Sequence, residues 1–399
     1  MSPRDVLPYL IAALALLAIT LALPRPAPTT RVAIRVDCAQ VGACELADRL
    51  AVDVWSERRG PGLPLDVVVT SEGLAELANA KVVWQVLVPD IDAAARAEHA
   101  RVVAARPGDW FGEFRDYTAI SGYLRQLAEL APERVSVHAI GGSLEGRPLW
   151  ALRIAGSAPT ERMLVDGTQH AREWIATMTA TCVADRLVRR YASDPAIRAF
   201  VDRTELWVVP VVNPDGYQYS WSQDRYWRKN LRDRHGVDLN RNFSVAWGGP
   251  GSSGSKRSQS YRGEYAFSEP ESAALRDLVR RERITMHVDF HAYGQLVLYP
   301  WDYTHAKAPD HDFYTALGDR VTSAIYAAHE NPYKLMSGAD LYPAAGTLQD
   351  WMYGDAHAIS YTIELRPSRG GGFVLPPEEI RPTCDEGLAA VLAMRAVRD

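Results

Sequence analysis

The hydrophobic and polar positions of residues 31–106 form short apolar runs separated by amphipathic segments. The apolar runs are typical of strands, and the segments near Glu45 and Gly73 are typical of helices. The predicted order is strand, helix, strand, strand, helix, strand, with strands at 32–36, 50–55, 65–70 and 82–88. This order predicts a small ferredoxin-like α+β unit.

A charged stretch at 90–106 follows and is rich in Ala and Arg, with few apolar residues. This composition favours a connecting helix over a helix buried in a core. Exposed segments between folded units are preferred sites of proteolysis. A trypsin-like protease is therefore expected to reach Arg101 or Arg106.

The pattern changes beyond residue 109, where helical segments alternate with continuous apolar, β-branched runs. Continuous apolarity predicts strands that are covered on both faces. The expected fold class is α/β, with a mixed, mostly parallel sheet and helices on both faces. Functional groups in such folds lie at the carboxyl ends of the strands. The apolar runs occur at 162–166, 206–212, 296–299 and 361–363.

Residues 6–23 carry no charge, and a Pro-rich linker at 25–28 follows them. Eighteen residues are long for a signal-peptide core and just long enough to span a bilayer. Residues 6–23 fit a cleaved signal peptide and a retained membrane anchor equally well. Either interpretation predicts an exported protein that is secreted, periplasmic or anchored. Any membrane contact is expected through this segment alone. The predicted division is 1–30 for the export segment, 31–106 for the small unit and 107–399 for the large one.

Charge and cysteine content exclude some classes of protein and of metal site. The chain has 44 Lys and Arg against 49 Asp and Glu, without long runs of one sign, so no nucleic-acid partner is expected. Four cysteines are too few for a disulfide scaffold and lack the spacing of a cysteine zinc site. Cys38 and Cys44 could form a bridge outside the cytosol, whereas ordinary buried thiols are an equally good interpretation of Cys182 and Cys384.

A metal site is indicated by two segments that end strands. His170 and Glu173 come directly after the run at 162–166, and His291 ends a strand that begins near 286. Two His and one Glu leave a tetrahedral zinc ion one position for water, as a hydrolytic site requires. His287 and Asp289 are competing ligands, but their places deeper in the strand favour core or supporting roles.

Seven motifs follow one another along the chain: GTQHAREW from Gly167, NPDGY from Asn213, YWRKN from Tyr226, VDLNRNF from Val237, SEPE from Ser268, HAY from His291 and YTIELR from Tyr361. In this order they resemble zinc carboxypeptidases of the pancreatic A and B type. The segments at 52–55, 65–69 and 86–94 are also similar to the prosegment of that family. The resemblance implies a carboxypeptidase-like fold, a zymogen whose prosegment covers the cleft until a trypsin-like protease cuts it, and peptide or protein C-termini as substrates.

The resemblance assigns roles to individual residues. One zinc ion is expected per chain, held by His170, Glu173 and His291, with Asp238 orienting a ligand His. Glu364 is implied as the general base, and Arg228 as the group that stabilises the oxyanion. The remaining implied contacts are Asn240 and Arg241 as the clamp on the terminal carboxylate, Tyr342 as the mobile tyrosine that closes over the terminal residue, and Arg172 and Tyr293 at outer subsites.

The pocket for the departing residue differs from both pancreatic types. The main selectivity position of the family falls on Gln349. In the family an apolar residue there goes with apolar preference and an acid with Lys or Arg preference, and Gln is neither. Asp302 replaces a residue that is small in the pancreatic enzymes. An acid there could pair with a basic side chain, so release of Lys and Arg with some tolerance is expected. Two alternatives are that Asp302 points to solvent, or that Gln349 and Leu348 shape an apolar pocket.

Two other functions compete with a carboxypeptidase. One is an amidohydrolase of the same superfamily that acts on cell-wall peptides or side-chain glutamates. The other is an inactive zinc- or peptide-binding module that is tethered to the membrane. The Asn240, Arg241 and Tyr342 set argues against the first, and Glu364 beside a complete ligand set argues against the second.

Overall fold

The computed structural model describes residues 30–56, 64–104, 108–368 and 372–394. The predicted export segment and Arg106 lie outside these residues. Among the helices described, none has the length and apolar character needed to cross a membrane.

The small unit is a four-stranded antiparallel sheet with two helices. Its sheet order is β2-β3-β1-β4, and the element order agrees with the one predicted. Apolar side chains of β1, β3 and both helices share one core, and the connecting helix α3 follows. The elements are β1 (Arg31–Val36), α1 (Ala43–Leu50), β2 (Ala51–Val54), β3 (Leu65–Thr70), α2 (Ser71–Asn79), β4 (Trp84–Val88) and α3 (Ile91–Ala104).

The large unit contains eight strands and nine α-helices among the described residues. Short 3₁₀ turns lie at Trp110–Gly112, Arg232–Arg234, Leu239–Arg241 and Pro377–Glu379. The strands are β5 (Val135–Gly142), β6 (Pro148–Ile154), β7 (Glu161–Gly167), β8 (Thr204–Val209), β9 (Met286–Ala292), β10 (Leu296–Tyr299), β11 (Lys334–Ser337) and β12 (Ile359–Leu365). The helices are α4 (Tyr117–Leu130), α5 (Trp174–Arg190), α6 (Pro195–Arg203), α7 (Pro214–Ser222), α8 (Pro270–Glu282), α9 (His311–His329), α10 (Gly338–Leu341), α11 (Leu348–Gly354) and α12 (Ile380–Ala393).

The eight strands form one mixed sheet in the order β11-β10-β12-β9-β7-β8-β6-β5. Four neighbouring pairs are parallel, including the central β12-β9-β7-β8 run, and three are antiparallel. The predicted mixed, mostly parallel α/β fold is confirmed. Strands β5, β6 and β11 were not predicted; β5 and β11 are the two sheet edges, and their polar positions weaken the apolar run that marks a buried strand.

Alternate residues of the central strands pack into two cores. Met163 and Val165 face the core that contains α5 and α12, whereas Leu164 faces the core that contains α8 and α11. Every residue of β9 and β12 is buried. The continuous apolar runs therefore reflect a sheet that is covered on both faces, as predicted.

All four cysteines are paired. Cys38 and Cys44 form the bridge that their spacing allowed, and of the two interpretations left open for Cys182 and Cys384 the buried-thiol one is wrong, because they are bonded to each other. This second bridge joins α5 to α12, which pack side by side although the cysteines are 202 residues apart. No sequence spacing signals a pair this distant.

Candidate metal centre and active site

Three potential ligands meet at the carboxyl ends of two parallel strands. His170 and Glu173 follow β7 and precede α5, and His291 lies at the end of the neighbouring strand β9. Glu173 Oε1 lies 2.8 Å from His170 Nδ1, and Glu173 Oε2 lies 3.0 Å from His291 Nδ1. Among the described residues these three are the one His, Cys, Asp and Glu group whose potential ligand atoms all lie within 4.8 Å.

A carboxylate lies behind each histidine ring. His170 Nε2 is 3.2 Å from Asp238 Oδ1, and His291 Nε2 is 3.0 Å from Asp289 Oδ2. Each carboxylate favours the tautomer with the proton on Nε2, which leaves both Nδ1 atoms as acceptors that face Glu173. Two imidazole nitrogens and a carboxylate, all buried, are a donor set that fits zinc.

Charge interactions within this cluster are strong. Burial raises the pKa of Glu173, but His170 and His291 outweigh this effect and hold it below its ordinary value. Burial lowers the pKa of His291, but Asp289 and Glu173 outweigh it and raise that pKa well above its ordinary value. The pocket therefore favours positive charge, whether protons or a metal cation supply it.

Glu364 lies on β12 directly beside the histidine of the neighbouring strand. The parallel register pairs Glu364 with His291, and the Glu364 side chain lines the same cavity as His170 and His291. It is 7% exposed, so little water screens it. The implied general base is thus placed at the candidate metal centre.

Arg228 reaches the cluster through Asp238. Its Nη2 donates to Asp238 Oδ2 at 2.9 Å, while Asp238 Oδ1 faces His170. Burial raises the pKa of Asp238, but Arg228, Arg241 and His170 outweigh it and hold the pKa well below its ordinary range. Asp238 therefore stays ionised and positions both a candidate ligand and a candidate oxyanion donor.

The implied carboxylate clamp forms one group beside the cluster. Arg241 Nη2 donates to the Tyr342 hydroxyl at 2.6 Å, and Arg241 Nη1 donates to the Asn240 carbonyl oxygen at 2.6 Å. The Asn240 side-chain oxygen accepts from the Leu348 backbone at 2.9 Å, and its Nδ2 lies 3.4 Å from His291 Nε2. All three clamp residues line the cavity of Glu364.

Asp302 also lines this cavity and is buried, so it does not point to solvent. Its Oδ2 accepts from the Thr347 hydroxyl at 2.6 Å, and its Oδ1 accepts from Gln349 Nε2 at 2.7 Å. A Cβ at Gly338 would lie 1.6 Å from Asp302 Oδ1, so a glycine is required there. Burial raises the pKa of Asp302 to about 7.

Gln349, which the resemblance places at the selectivity position, is not among the residues that line the cavity. Its Nε2 donates to Asp302, and its Oε1 accepts from the Thr362 backbone at 2.6 Å. Both ends of the amide are therefore engaged, and Gln349 orients Asp302. Thr347 and Gly338, which sequence analysis missed, complete this support. Only its position two residues before Gln349 could have drawn attention to Thr347.

The small unit contacts the two residues that the resemblance places at outer subsites. Arg172 Nη1 donates to Asp53 Oδ2 at 2.7 Å, and the Tyr293 hydroxyl donates to Asp66 Oδ2 at 3.2 Å. Trp55 stacks on Tyr226 with ring centroids 5.2 Å apart. Residues of β2 also line a cleft whose other wall contains Arg228, Arg241 and Tyr342.

Comparisons with known proteins agree with this geometry. The sequence profile of the zinc carboxypeptidase family matches residues 120–390. The chain is 34% identical to carboxypeptidase O of Bos taurus over 71% of this chain and 78% of that protein. It is 31% identical to carboxypeptidase B of Rattus norvegicus over 87% of this chain and 88% of that protein.

A solved structure extends the likeness to the fold. The crystal structure of thrombin activatable fibrinolysis inhibitor is similar with a TM-score of 0.85 and 28% identity, over 92% of this chain and 98% of that chain. The family profile is that of a zinc enzyme, and His170, Glu173 and His291 form a donor set that fits zinc. The chain therefore belongs to the zinc carboxypeptidase family and is a metallocarboxypeptidase with zinc as its cofactor.

Proposed function

We propose that the chain is an exported zymogen that, once cleaved, releases C-terminal residues from peptides and prefers Lys and Arg. The family supports hydrolysis of C-terminal peptide bonds. The observation that carries the preference is the buried Asp302 carboxylate, which lines the same cavity as His170, His291 and the clamp. Export is supported by the two disulfides, because such bonds persist in oxidising compartments.

The chemistry follows from the placement of each side chain. His170, Glu173 and His291 would hold zinc, which supplies a Lewis acid that polarises a carbonyl and acidifies water. Glu364 takes a proton from the attacking water and passes it to the leaving amine. Arg228 stabilises the negative charge that develops on the scissile carbonyl oxygen.

Substrate selection follows from the clamp. Arg241 and Asn240 bind the terminal carboxylate, since a guanidinium can donate two parallel hydrogen bonds to it. Tyr342 lies against Arg241 and closes the pocket over the terminal residue. The side chain of that residue then extends toward Asp302, where a cation can pair with the carboxylate.

Replacing Asp302 tests the preference. In Asp302→Asn, kcat/KM for a peptide ending in Lys should fall about 10- to 100-fold, because hydrogen bonds to charged groups contribute about 1.5–3 kcal/mol. A matched peptide ending in Phe should change little. The two kcat/KM values are measured by chromatography of the products. A wild-type enzyme that releases Phe or Leu much faster than Lys or Arg would contradict the role of Asp302.

The preference should also depend on pH. Burial raises the pKa of Asp302 to about 7, so the carboxyl is neutral below that pH and attracts a cation only above it. The ratio of kcat/KM for Lys to that for Phe should therefore rise as pH increases through about 7 and then level off. Taking the ratio cancels titration of Glu364, which acts on both substrates. The same ratio in Asp302→Asn should be flat, and a wild-type ratio that falls with rising pH would contradict the assignment.

Latency is supported by the contacts of residues 31–104 with the outer subsites. Arg172 and Tyr293 are both occupied by carboxylates of the small unit, so a peptide cannot reach them. Arg101 is exposed in the last turn of α3, which gives a trypsin-like protease access. Activity of the full chain should rise several-fold after cleavage near Arg101 or Arg106. Mass spectrometry identifies the cleavage site, and a peptide assay measures the activity before and after the cut. Equal activity before and after the cut would leave the unit as a folding aid only.

A further inference from the structure

We propose that Asp289 is a positioning residue that holds His291 in its zinc-binding tautomer and strengthens zinc binding. The proposal rests on the zinc ligands assigned above. Asp289 lies two positions before His291 on β9, so both side chains leave the same face of the strand.

The contacts of Asp289 place it outside the metal cluster. Its Oδ2 lies 3.0 Å from His291 Nε2, whereas His291 Nδ1 faces Glu173 at 3.0 Å. The imidazole ring therefore separates Asp289 from the other candidate ligands. Asp289 is fully buried, and it acts on the metal through the histidine and not as a ligand.

The surroundings of Asp289 direct its charge at His291. Gln169 Nε2 donates to Asp289 Oδ2 at 2.6 Å, but this amide is neutral. Asp289 Oδ1 has no hydrogen-bond partner among the described residues. An ionised carboxylate is unfavourable in such a place unless it has a strong donor, and the Nε2 proton of His291 is the donor available.

A comparison with Asp238 shows what is particular to Asp289. Asp238 faces His170 in the same way, but its other oxygen accepts two hydrogen bonds from Arg228. That guanidinium offsets much of the negative charge. Asp289 forms no ion pair with Lys or Arg among the described residues, so no cationic side chain competes with His291 for its carboxylate.

The chain provides a matched control in Asp166. Asp166 Oδ1 lies 2.7 Å from His287 Nε2, and the two are as deeply buried as Asp289. Asp166 and Asp289 are register neighbours on β7 and β9. His287 Nδ1 faces the Ser360 hydroxyl at 2.8 Å and not the metal cluster. Asp166→Asn thus removes a similar buried charge beside a histidine that does not face zinc.

The test measures metal binding directly. Zinc affinity of Asp289→Asn, Asp166→Asn and the unaltered full chain is determined by competition with a chelator at one pH. Asp289→Asn should bind zinc about 10- to 100-fold more weakly, as expected for loss of a partner of a metal-bound histidine. Asp166→Asn should stay within about twofold of the unaltered chain. Replacing zinc with Co²⁺ should shift the visible absorption bands only in Asp289→Asn.

Three results would overturn the proposal. Unchanged zinc affinity and an unchanged cobalt spectrum in Asp289→Asn would leave Asp289 as a core residue. Equal losses in both Asn variants would point to a general effect of buried charge. Full zinc occupancy in His291→Ala would show that the ligand assignment itself is wrong. This result distinguishes a wrong set of zinc ligands from a wrong role for Asp289. If Asp289→Asn does not fold, Asp289→Ser is read in the same way.

Discussion

Glu364→Gln should lose turnover by roughly 100-fold or more while it keeps zinc and substrate binding. The amide is nearly the same size as the carboxylate but cannot accept the proton of the attacking water. Glu364 lies beside His291 in the sheet register and lines the cavity of the clamp, so the substitution leaves the surrounding contacts largely in place. Zinc content, inhibitor affinity and kcat are measured on cleaved protein.

The split between binding and turnover is what identifies a general base. A loss of kcat together with a loss of zinc would indicate a structural effect of the substitution. Near wild-type kcat would remove Glu364 from the mechanism. Glu271→Gln is a suitable control, because Glu271 is also buried but does not line the cavity.

His291→Ala should lose both bound zinc and activity. The variant removes one of the three buried donors that meet at the ends of β7 and β9, and the remaining pair cannot hold the ion at the usual coordination number. The loss of zinc affinity should exceed the roughly 10- to 100-fold expected for removal of an outer partner. Metal analysis after dialysis measures the occupancy.

The control for His291→Ala is His287→Ala on the same strand. His287 was a competing ligand on sequence grounds, but its ring nitrogens face Asp166 and Ser360. Its replacement should lower the thermal stability of the protein and leave zinc occupancy high. If His291→Ala retains zinc and His287→Ala loses it, the third zinc ligand is His287 and not His291.

The three candidate metal ligands could be predicted because they lie at strand ends. His170 and Glu173 follow a continuous apolar run, and His291 lies near the end of a strand, whereas the role of Glu364 was implied only by the resemblance. Parallel strands bring such ends together at one edge of the sheet. The fold class followed from the same runs, since full burial on both faces suppresses the alternation of a half-exposed strand.

The parts that sequence could not predict depend on contacts between distant segments. Gln349 was expected to contact substrate, but its amide holds Asp302, which is 47 residues away. The bridge of Cys182 to Cys384 joins two helices across 202 residues. Both depend on how the helices pack against the sheet, and local periodicity contains no information on that packing.

The most direct test of the central claim compares two peptides that differ only at the C-terminus. Both end in Lys, one with a free carboxylate and one with a carboxamide, and each is incubated with the cleaved, zinc-loaded enzyme. Because Arg241 and Asn240 are expected to bind the free carboxylate, mass spectrometry should show loss of the terminal Lys from the first peptide and almost none from the second. Equal cleavage of the two peptides, or cleavage at internal or side-chain amide bonds, would contradict carboxypeptidase action at this site.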